Sequence, residues 1–233
     1  MAHIEHTPTA HSHTKAILFD LDGTLLDTAP DLVTAVNALR GEYHLSPLPF
    51  ETALSMVGKG AHNLIQRALT HEQALRFDAD VAYAHFAAHY HRINGDATCE
   101  YKGVSEVLHA LYAQGYRLGI VTNKPTEFTL PLIQQFGWSN LFSSVVCGDT
   151  LSVRKPRPEP LFHALAEMNS TVKSALMVGD SMNDAWAAEA AECACVILDY
   201  GYNEGQPVRE ALKQWPHVPV HSDFASALRS CLS

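Results

Sequence analysis

The segment AILFDLDGTLLDT, residues 16–28, begins as an apolar run and then places two carboxylates, Asp20 and Asp22, before a Gly-Thr pair. The run has the length of a strand and lacks polar alternation, which is typical of a strand covered on both faces of a parallel sheet. Two aspartates at its end repel each other when both are ionised. The segment therefore predicts either an ordinary acidic turn, since Asp-Gly is a common turn signal, or a site that uses both charges.

The rest of the chain shows two patterns of apolar residues. From about residue 30 to residue 93 they recur at intervals of three and four, which is the period of a helix. From residue 102 onward, apolar runs of strand length alternate with helical segments, which predicts right-handed crossovers and a parallel sheet. We therefore expect an α/β fold, a doubly wound parallel sheet built from residues 15–28 and 97–233, with an all-helical subdomain inserted over residues 29–96.

Composition limits the partners and the location of the protein. The 233 residues carry a net charge of −9, and no block of Lys and Arg appears, so nucleic acid and anionic membranes are poor partners. No apolar run approaches the ~18 residues of a membrane span, and the five cysteines form no CxxC pair. We expect a cytoplasmic protein with free thiols and a flexible, histidine-rich tail over residues 1–14.

Polar residues follow several of the predicted strands, where ligands bind in open parallel sheets. Several carboxylates in one crevice cannot all remain ionised unaided, so the pattern predicts a hard divalent cation such as Mg²⁺. A nearby lysine in the stretch VRKPRPEP would add fixed positive charge for an anionic group. The composition of this site indicates phosphoryl chemistry. The residues concerned are Asp20, Asp22, Thr122, Asn123, Lys155, Asp180 and Asp184.

The motifs DLDGTLLDT, VTNK, KPRPEP and VGDSMND, in this order, resemble the four motifs of the haloacid dehalogenase superfamily. The helical block lies where that superfamily carries a helical cap. The resemblance implies that Asp20 is the nucleophile and forms an aspartyl-phosphate. It implies that Asp22 protonates the leaving alkoxide and then activates water, while its backbone carbonyl binds Mg²⁺.

The resemblance also implies roles for the later motifs. Thr122 and the Asn123 amide would bind phosphoryl oxygens, and Lys155 would bridge the phosphate and the nucleophile. Asp180 would be a side-chain ligand of the metal. Asp184 would be a second ligand or an anchor for metal-bound water, although it could instead cap the helix that follows it.

Other residues near these motifs have simpler interpretations. Asp27 and Thr28 are expected only to cap the helix that begins near Pro30. His62 is expected to be structural or exposed rather than a ligand.

The second aspartate of the first motif indicates the class of reaction. Within the superfamily, dehalogenases lack it, because a halide leaves without a proton, and P-type ATPases carry threonine there. Asp22 therefore favours phosphatases and mutases, whose leaving alkoxide must be protonated. We expect a Mg²⁺-dependent phosphomonoesterase acting on a small phosphorylated metabolite. The alternatives are a phosphomutase like β-phosphoglucomutase and a non-catalytic binding module.

Two further stretches bear on the substrate. SMVGKGAHNL places Gly58, Lys59 and Gly60 between two predicted helices, in a loop that faces the active site in this superfamily. Lys59 could bind a substrate carboxylate while the glycines permit close backbone approach; alternatively, the loop is a simple turn with a solvated lysine.

The second stretch is ILDYGYNEGQPV, residues 197–208, which resembles a segment of bacterial phosphoglycolate phosphatases. The chain departs from the common pattern of that group at Lys59 and Glu204. The resemblance implies 2-phosphoglycolate as substrate, with sugar phosphates such as N-acetylmuramate 6-phosphate as the alternative. We expect the protein to be a monomer or a homodimer.

Overall fold

The computed structural model describes residues 15–71 and 76–232, so the predicted histidine-rich tail lies outside the described residues. The described strands are β1 Ala16–Phe19, β2 Leu26–Asp27, β3 Cys99–Glu100, β4 Arg117–Val121, β5 Phe142–Val146, β6 Ala175–Gly179, β7 Ala194–Leu198 and β8 Val220–His221. The described helices are α1 Ala29–Glu42, α2 Phe50–Leu54, α3 Ala61–Thr70, α4 Ala79–Ile93, α5 Val104–Ala113, α6 Thr126–Gln135, α7 Glu159–Glu167, α8 Met182–Ala190, α9 Val208–Ala211 and α10 Phe224–Leu232.

Six of the strands form one parallel sheet in the order β5-β4-β1-β6-β7-β8. Strand β1 lies in the middle, and its Ile17 is in register with Leu118 of β4 and Leu176 of β6. The chain winds from β1 towards β5 and then crosses back to continue at β6. The order of a doubly wound sheet is thus confirmed, and its switch point, where ligands bind in such folds, lies between β1 and β6.

The sheet is covered on both faces, as the unbroken apolar run of β1 predicts. All four β1 residues are fully buried. Because successive side chains of a strand point to opposite faces, Ile17 and Phe19 pack with α5, α6 and α10, and Leu18 packs with α7 and α8. The strand that ends at Asp20 is therefore fixed from two sides, which holds its carboxyl end in place.

Helices α1–α4, called the helical block below, share their own apolar core, which includes Val36, Leu64 and Phe86. This core also contains the fully buried Arg40, whose guanidinium donates to the carbonyls of Ser46 and Ala68 and so links α1 to α3. None of the helices in the described part of the chain is long and apolar enough to cross a membrane.

The two segments that join the helical block to the sheet are held together, a feature absent from our sequence-based expectations. Strands β2 and β3 pair antiparallel at this junction. The buried Asp31 accepts hydrogen bonds from the backbone amides of Gly95, Ala97 and Thr98. Each strand has only two residues, which is too short for a periodic pattern in the sequence.

Candidate active site

Three carboxylates converge at the switch point of the sheet. Asp20 follows β1, Asp180 follows β6, and Asp184 lies in the first turn of α8. One oxygen of each lies within 4.8 Å of the other two. Since β1 and β6 are parallel neighbours, their carboxyl ends meet at one edge, and the structure brings together the residues that the sequence analysis grouped.

The electrostatics of this cluster favour a bound cation. Burial raises the pKa of Asp20 to about 7, with Lys155 opposing the shift and Asp184 and Asp22 adding to it. Burial and the charge of Asp184 likewise raise the pKa of Asp180 well above its usual value. A divalent cation would offset this repulsion, and the donors are all oxygens, which Mg²⁺ prefers. The residues present therefore fit a Mg²⁺ site.

Lys155 supplies fixed positive charge beside the cluster. Its ammonium is buried and lies 3.0 Å from Asp20 Oδ1 and 2.6 Å from Asp184 Oδ1. Burial acts to lower the pKa of Lys155, but the charges of Asp184 and Asp20 outweigh burial and raise it. The lysine is therefore held in its charged form between two carboxylates.

Asp184 both caps its helix and belongs to the carboxylate cluster. Its Oδ2 accepts hydrogen bonds from the backbone amides of Asp180 and Ser181 and from the Ser181 hydroxyl, and its Oδ1 accepts from Lys155. The two interpretations that the sequence left open are therefore compatible. These bonds fix Asp184 as an anchor for the residues around it.

Asp180 is held by groups from two other segments. Thr24 Oγ1 donates to its Oδ1 at 2.7 Å, and the Tyr202 amide donates to its Oδ2 at 2.8 Å. Gly23 has a φ of +84°, and a Cβ atom at this position would lie 2.4 Å from Asp180 Oδ2. The glycine of the first motif is thus required both for its backbone conformation and for the close approach of Asp180.

Asp22 has different partners from Asp20. Thr28 Oγ1 donates to Asp22 Oδ1 at 2.6 Å, and the Lys124 ammonium lies 3.1 Å from the same oxygen. The prediction that Thr28 only caps α1 is wrong, because its hydroxyl makes no capping bond and is used by Asp22 instead. Asp27 Oδ1 does accept a long bond of 3.3 Å from the Ala29 amide.

Lys124 is the site residue that our sequence analysis missed. Its side chain is buried, and its ammonium donates to Tyr90 Oη at 2.7 Å as well as to Asp22. Burial acts to lower the pKa of Lys124, but Asp22 and Tyr90 together outweigh burial and raise it. The signal was present, since Lys124 ends the VTNK motif just after β4.

The other two polar residues of that motif line the same pocket. The Thr122 hydroxyl accepts from the Lys124 amide at 3.1 Å. The Asn123 side chain donates to the carbonyls of Gly58 and Lys155, at 3.1 and 3.0 Å. Its side-chain amide thus joins the loop of the helical block to the segment that carries Lys155.

The pocket lies between the sheet and the helical block. Its floor is polar, with Asp20, Asp22 and Thr122, whereas the helical block contributes apolar side chains such as Leu64 and Phe86.

The loop with Gly58, Lys59 and Gly60 reaches the pocket through its glycines. Gly58 and Gly60 line the pocket, and Gly60 has a φ of +84°. Lys59 does not line the pocket formed by the described residues. Its side chain is 46% exposed and forms a 2.8 Å ion pair with Glu204, so the two residues that depart from the common pattern pair with each other.

His62, close to this loop, stacks on Tyr83 with ring centroids 4.5 Å apart. This contact agrees with the expected structural role.

Comparisons with known proteins agree with this geometry. A model of the haloacid dehalogenase-like hydrolase family matches residues 17–198. The phosphoglycolate phosphatase of Nitrosospira multiformis is 45% identical over 199 residues, covering 84% of this chain and 88% of the relative. That of Haemophilus influenzae is 38% identical over 220 residues, covering 92% and 96%.

A solved structure is also similar over nearly the whole chain. The crystal structure of a predicted phosphoglycolate phosphatase from Haemophilus somnus is 36% identical, with a TM-score of 0.85, covering 94% of this chain and 98% of that one. Fold, site and relatives together define a hydrolase of phosphoric monoesters. The chain belongs to the haloacid dehalogenase-like hydrolase family.

Proposed function

We propose that the protein is a Mg²⁺-dependent phosphatase that hydrolyses 2-phosphoglycolate through an aspartyl-phosphate on Asp20. The observation that carries the proposal is the convergence of Asp20, Asp180 and Asp184 with the buried Lys155 at the switch point of the sheet. The relatives named as phosphoglycolate phosphatases support the choice of substrate.

In the first step, Asp20 attacks phosphorus. Its Oδ1 accepts a hydrogen bond from the Leu21 amide at 2.7 Å and lies 3.0 Å from the Lys155 ammonium. Within the described residues, 15–71 and 76–232, its Oδ2 accepts no hydrogen bond. A bond forms between a carboxylate oxygen and phosphorus, and the bond from phosphorus to the ester oxygen breaks. Asp22 gives its proton to the departing alkoxide, which leaves as glycolate.

In the second step, Asp22 takes a proton from a water molecule that attacks the aspartyl-phosphate. The bond from phosphorus to Asp20 breaks, and inorganic phosphate leaves. Thr28 and Lys124 hold the Asp22 carboxylate by hydrogen bonds of 2.6 and 3.1 Å, which keeps it in place for both proton transfers.

The Mg²⁺ ion would be held by Asp20, Asp180 and Asp184, together with the backbone carbonyl of Asp22. When bound, it offsets the negative charge of the carboxylates and of the phosphoryl oxygens. Lys155, which contacts both Asp20 and Asp184, contributes to the same charge balance, and Thr122 with the Asn123 amide would receive the remaining phosphoryl oxygens.

The test is phosphate release from a panel that includes 2-phosphoglycolate, N-acetylmuramate 6-phosphate and glucose 1-phosphate, with Mg²⁺ and with EDTA. We expect the highest kcat/KM with 2-phosphoglycolate and loss of turnover in EDTA. Isomerisation of a sugar phosphate without net phosphate release would instead establish a mutase. Failure to release phosphate from any ester would indicate a binding module.

A further inference from the structure

Among the described residues that line the pocket, Lys124 is the only one with a positively charged side chain. We propose that Lys124 recognises the carboxylate of the substrate and so determines its specificity. The inference rests on the proposed hydrolysis of a small phosphorylated carboxylate. It names a second cationic subsite, distinct from the phosphoryl subsite beside Lys155.

The position of Lys124 places it on the leaving-group side of the site. Its ammonium contacts Asp22 Oδ1 at 3.1 Å and Asp22 Oδ2 at 3.4 Å, whereas Lys155 contacts Asp20. Asp22 must lie within hydrogen-bond distance of the ester oxygen in order to protonate it. In 2-phosphoglycolate the carboxylate carbon is two bonds beyond that oxygen, so it reaches the same ammonium that binds Asp22.

The ammonium can accommodate this partner without losing its two short contacts. A lysine offers three donors, and here the strong contacts are those to Tyr90 Oη at 2.7 Å and to Asp22 Oδ1. The contact of 3.4 Å to Asp22 Oδ2 is long for a hydrogen bond and is the one that a substrate carboxylate replaces.

The surroundings of Lys124 strengthen such a contact. The pocket lining also includes the apolar side chains of Leu32, Phe86 and Phe128, and Lys124 itself is buried. The attraction between a buried ammonium and a carboxylate is larger than at the surface. A substrate with a neutral group at the same position would lack this attraction. The enzyme would therefore prefer the carboxylated substrate.

The other candidate for this role, Lys59, has a different environment. Its ammonium is exposed and already lies 2.8 Å from Glu204, and Arg67 lies 3.6 Å from the same carboxylate oxygen. A matched pair of lysines is therefore available, one that lines the pocket and one at its outer loop. They can be compared by the same substitution.

The experiment measures kcat/KM for 2-phosphoglycolate and for 2-hydroxyethyl phosphate, in which a neutral CH₂OH group replaces the carboxylate. Wild-type enzyme should prefer 2-phosphoglycolate. Lys124→Met should reduce that preference by about 10- to 100-fold, the range for a hydrogen bond between charged groups. Lys59→Met should change it less than about twofold. The measured quantity is the ratio of kcat/KM for the two esters. An effect of Lys124→Met on Asp22 lowers both values equally and leaves this ratio unchanged, because both esters need the same proton transfer.

Three results would overturn the inference. The first is that the wild-type enzyme hydrolyses both esters equally well. This result does not depend on whether any variant folds. Another is an equal loss for both esters in Lys124→Met, which would limit Lys124 to holding Asp22 or the phosphoryl group. The third is a selective loss in Lys59→Met alone. Absence of phosphate release from both esters in the wild type would overturn the proposed function itself, and this inference with it.

Discussion

Asp20 and Asp22 stand two residues apart, and each has its own buried lysine. Asp20 lies 3.0 Å from Lys155, and Asp22 lies 3.1 Å from Lys124. The two lysines come from different segments, so the carboxylates experience separate environments despite their closeness in sequence. This separation is consistent with two tasks, nucleophilic attack and proton transfer.

Replacing the proposed nucleophile should abolish turnover without harming the fold. In Asp20→Asn, we expect phosphate release to fall by at least roughly 1,000-fold, because an amide oxygen does not form the acyl phosphate. The melting temperature should stay the same or rise, since a repelling charge is removed from the cluster. Retained activity would contradict the assignment of Asp20.

The hydroxyl of Thr28 should matter for kcat more than for KM. It donates to Asp22 Oδ1 at 2.6 Å, so Thr28→Val leaves Asp22 less well oriented for both proton transfers. We expect a loss of about tenfold in kcat, which is less than the roughly 100- to 10,000-fold that a general acid–base group contributes, because Asp22 itself is retained. Thr34→Val is the matched control, because the Thr34 hydroxyl bonds only to the Pro30 carbonyl on the exposed side of the same helix. Equal effects of the two substitutions would reject the role of Thr28.

Among the helices, α1 begins in an unusual way. Its first free amides, those of Thr28 and Ala29, donate to the hydroxyl oxygen of Tyr202, at 2.7 and 2.9 Å, and this hydroxyl donates to Asp27. The amide of Tyr202 binds Asp180. A single residue therefore connects the start of the helical block to the carboxylate cluster.

Removing this hydroxyl should destabilise the protein measurably. In Tyr202→Phe the buried Thr28 amide loses its acceptor and the Ala29 amide keeps only its long bond to Asp27, so we expect the free energy of unfolding to fall by about 1–3 kcal/mol. Urea denaturation measures the difference. Tyr112→Phe, at a side chain that is 52% exposed, should change stability by less than about 0.5 kcal/mol. A change of similar size in both variants would contradict the capping role of Tyr202.

The carboxylate cluster should couple metal binding to the stability of the whole chain. Mg²⁺ at 100 times its Kd should stabilise the native state by about 2.7 kcal/mol, which corresponds to roughly 5–10 °C in Tm for a chain of this size. Thermal scans with and without Mg²⁺ measure this shift. It should be lost in Asp180→Asn, whereas an unchanged shift there would place the ion elsewhere.

The packing of the chain should also protect its thiols. All five cysteines are free, but only Cys99 is exposed. Burial raises the pKa of Cys193 to about 12, and that of Cys195 is raised well above its usual value. Since the thiolate is the reactive form, we expect one thiol to react rapidly with a disulfide reagent at pH 8 and the other four only after denaturation. Rapid reaction of several thiols in the native state would contradict this packing.

Local sequence patterns were sufficient for the architecture. The apolar run at Ala16–Phe19 and the helical periods of residues 30–93 predicted elements that the structure contains, because burial on one or both faces leaves a period of two, three or four in the sequence. The strand-end carboxylates were predicted for a similar reason, since parallel strands bring their carboxyl ends to one edge. The expected cytoplasmic location and the monomeric or homodimeric state stay predictions.

Contacts between distant segments could not be predicted in this way. The bonds of Lys124 to Asp22 and of Tyr202 to Thr28 join residues about 100 and 174 positions apart, and no periodic pattern records such pairs. The pairing of Lys59 with Glu204 could not be predicted either, because it depends on how the helical block lies against the sheet. The sequence established the fold and the phosphoryl chemistry, since both follow from short segments. Packing of the helical block on the sheet decided which lysine lines the pocket, because side-chain environment depends on segments far apart in the chain.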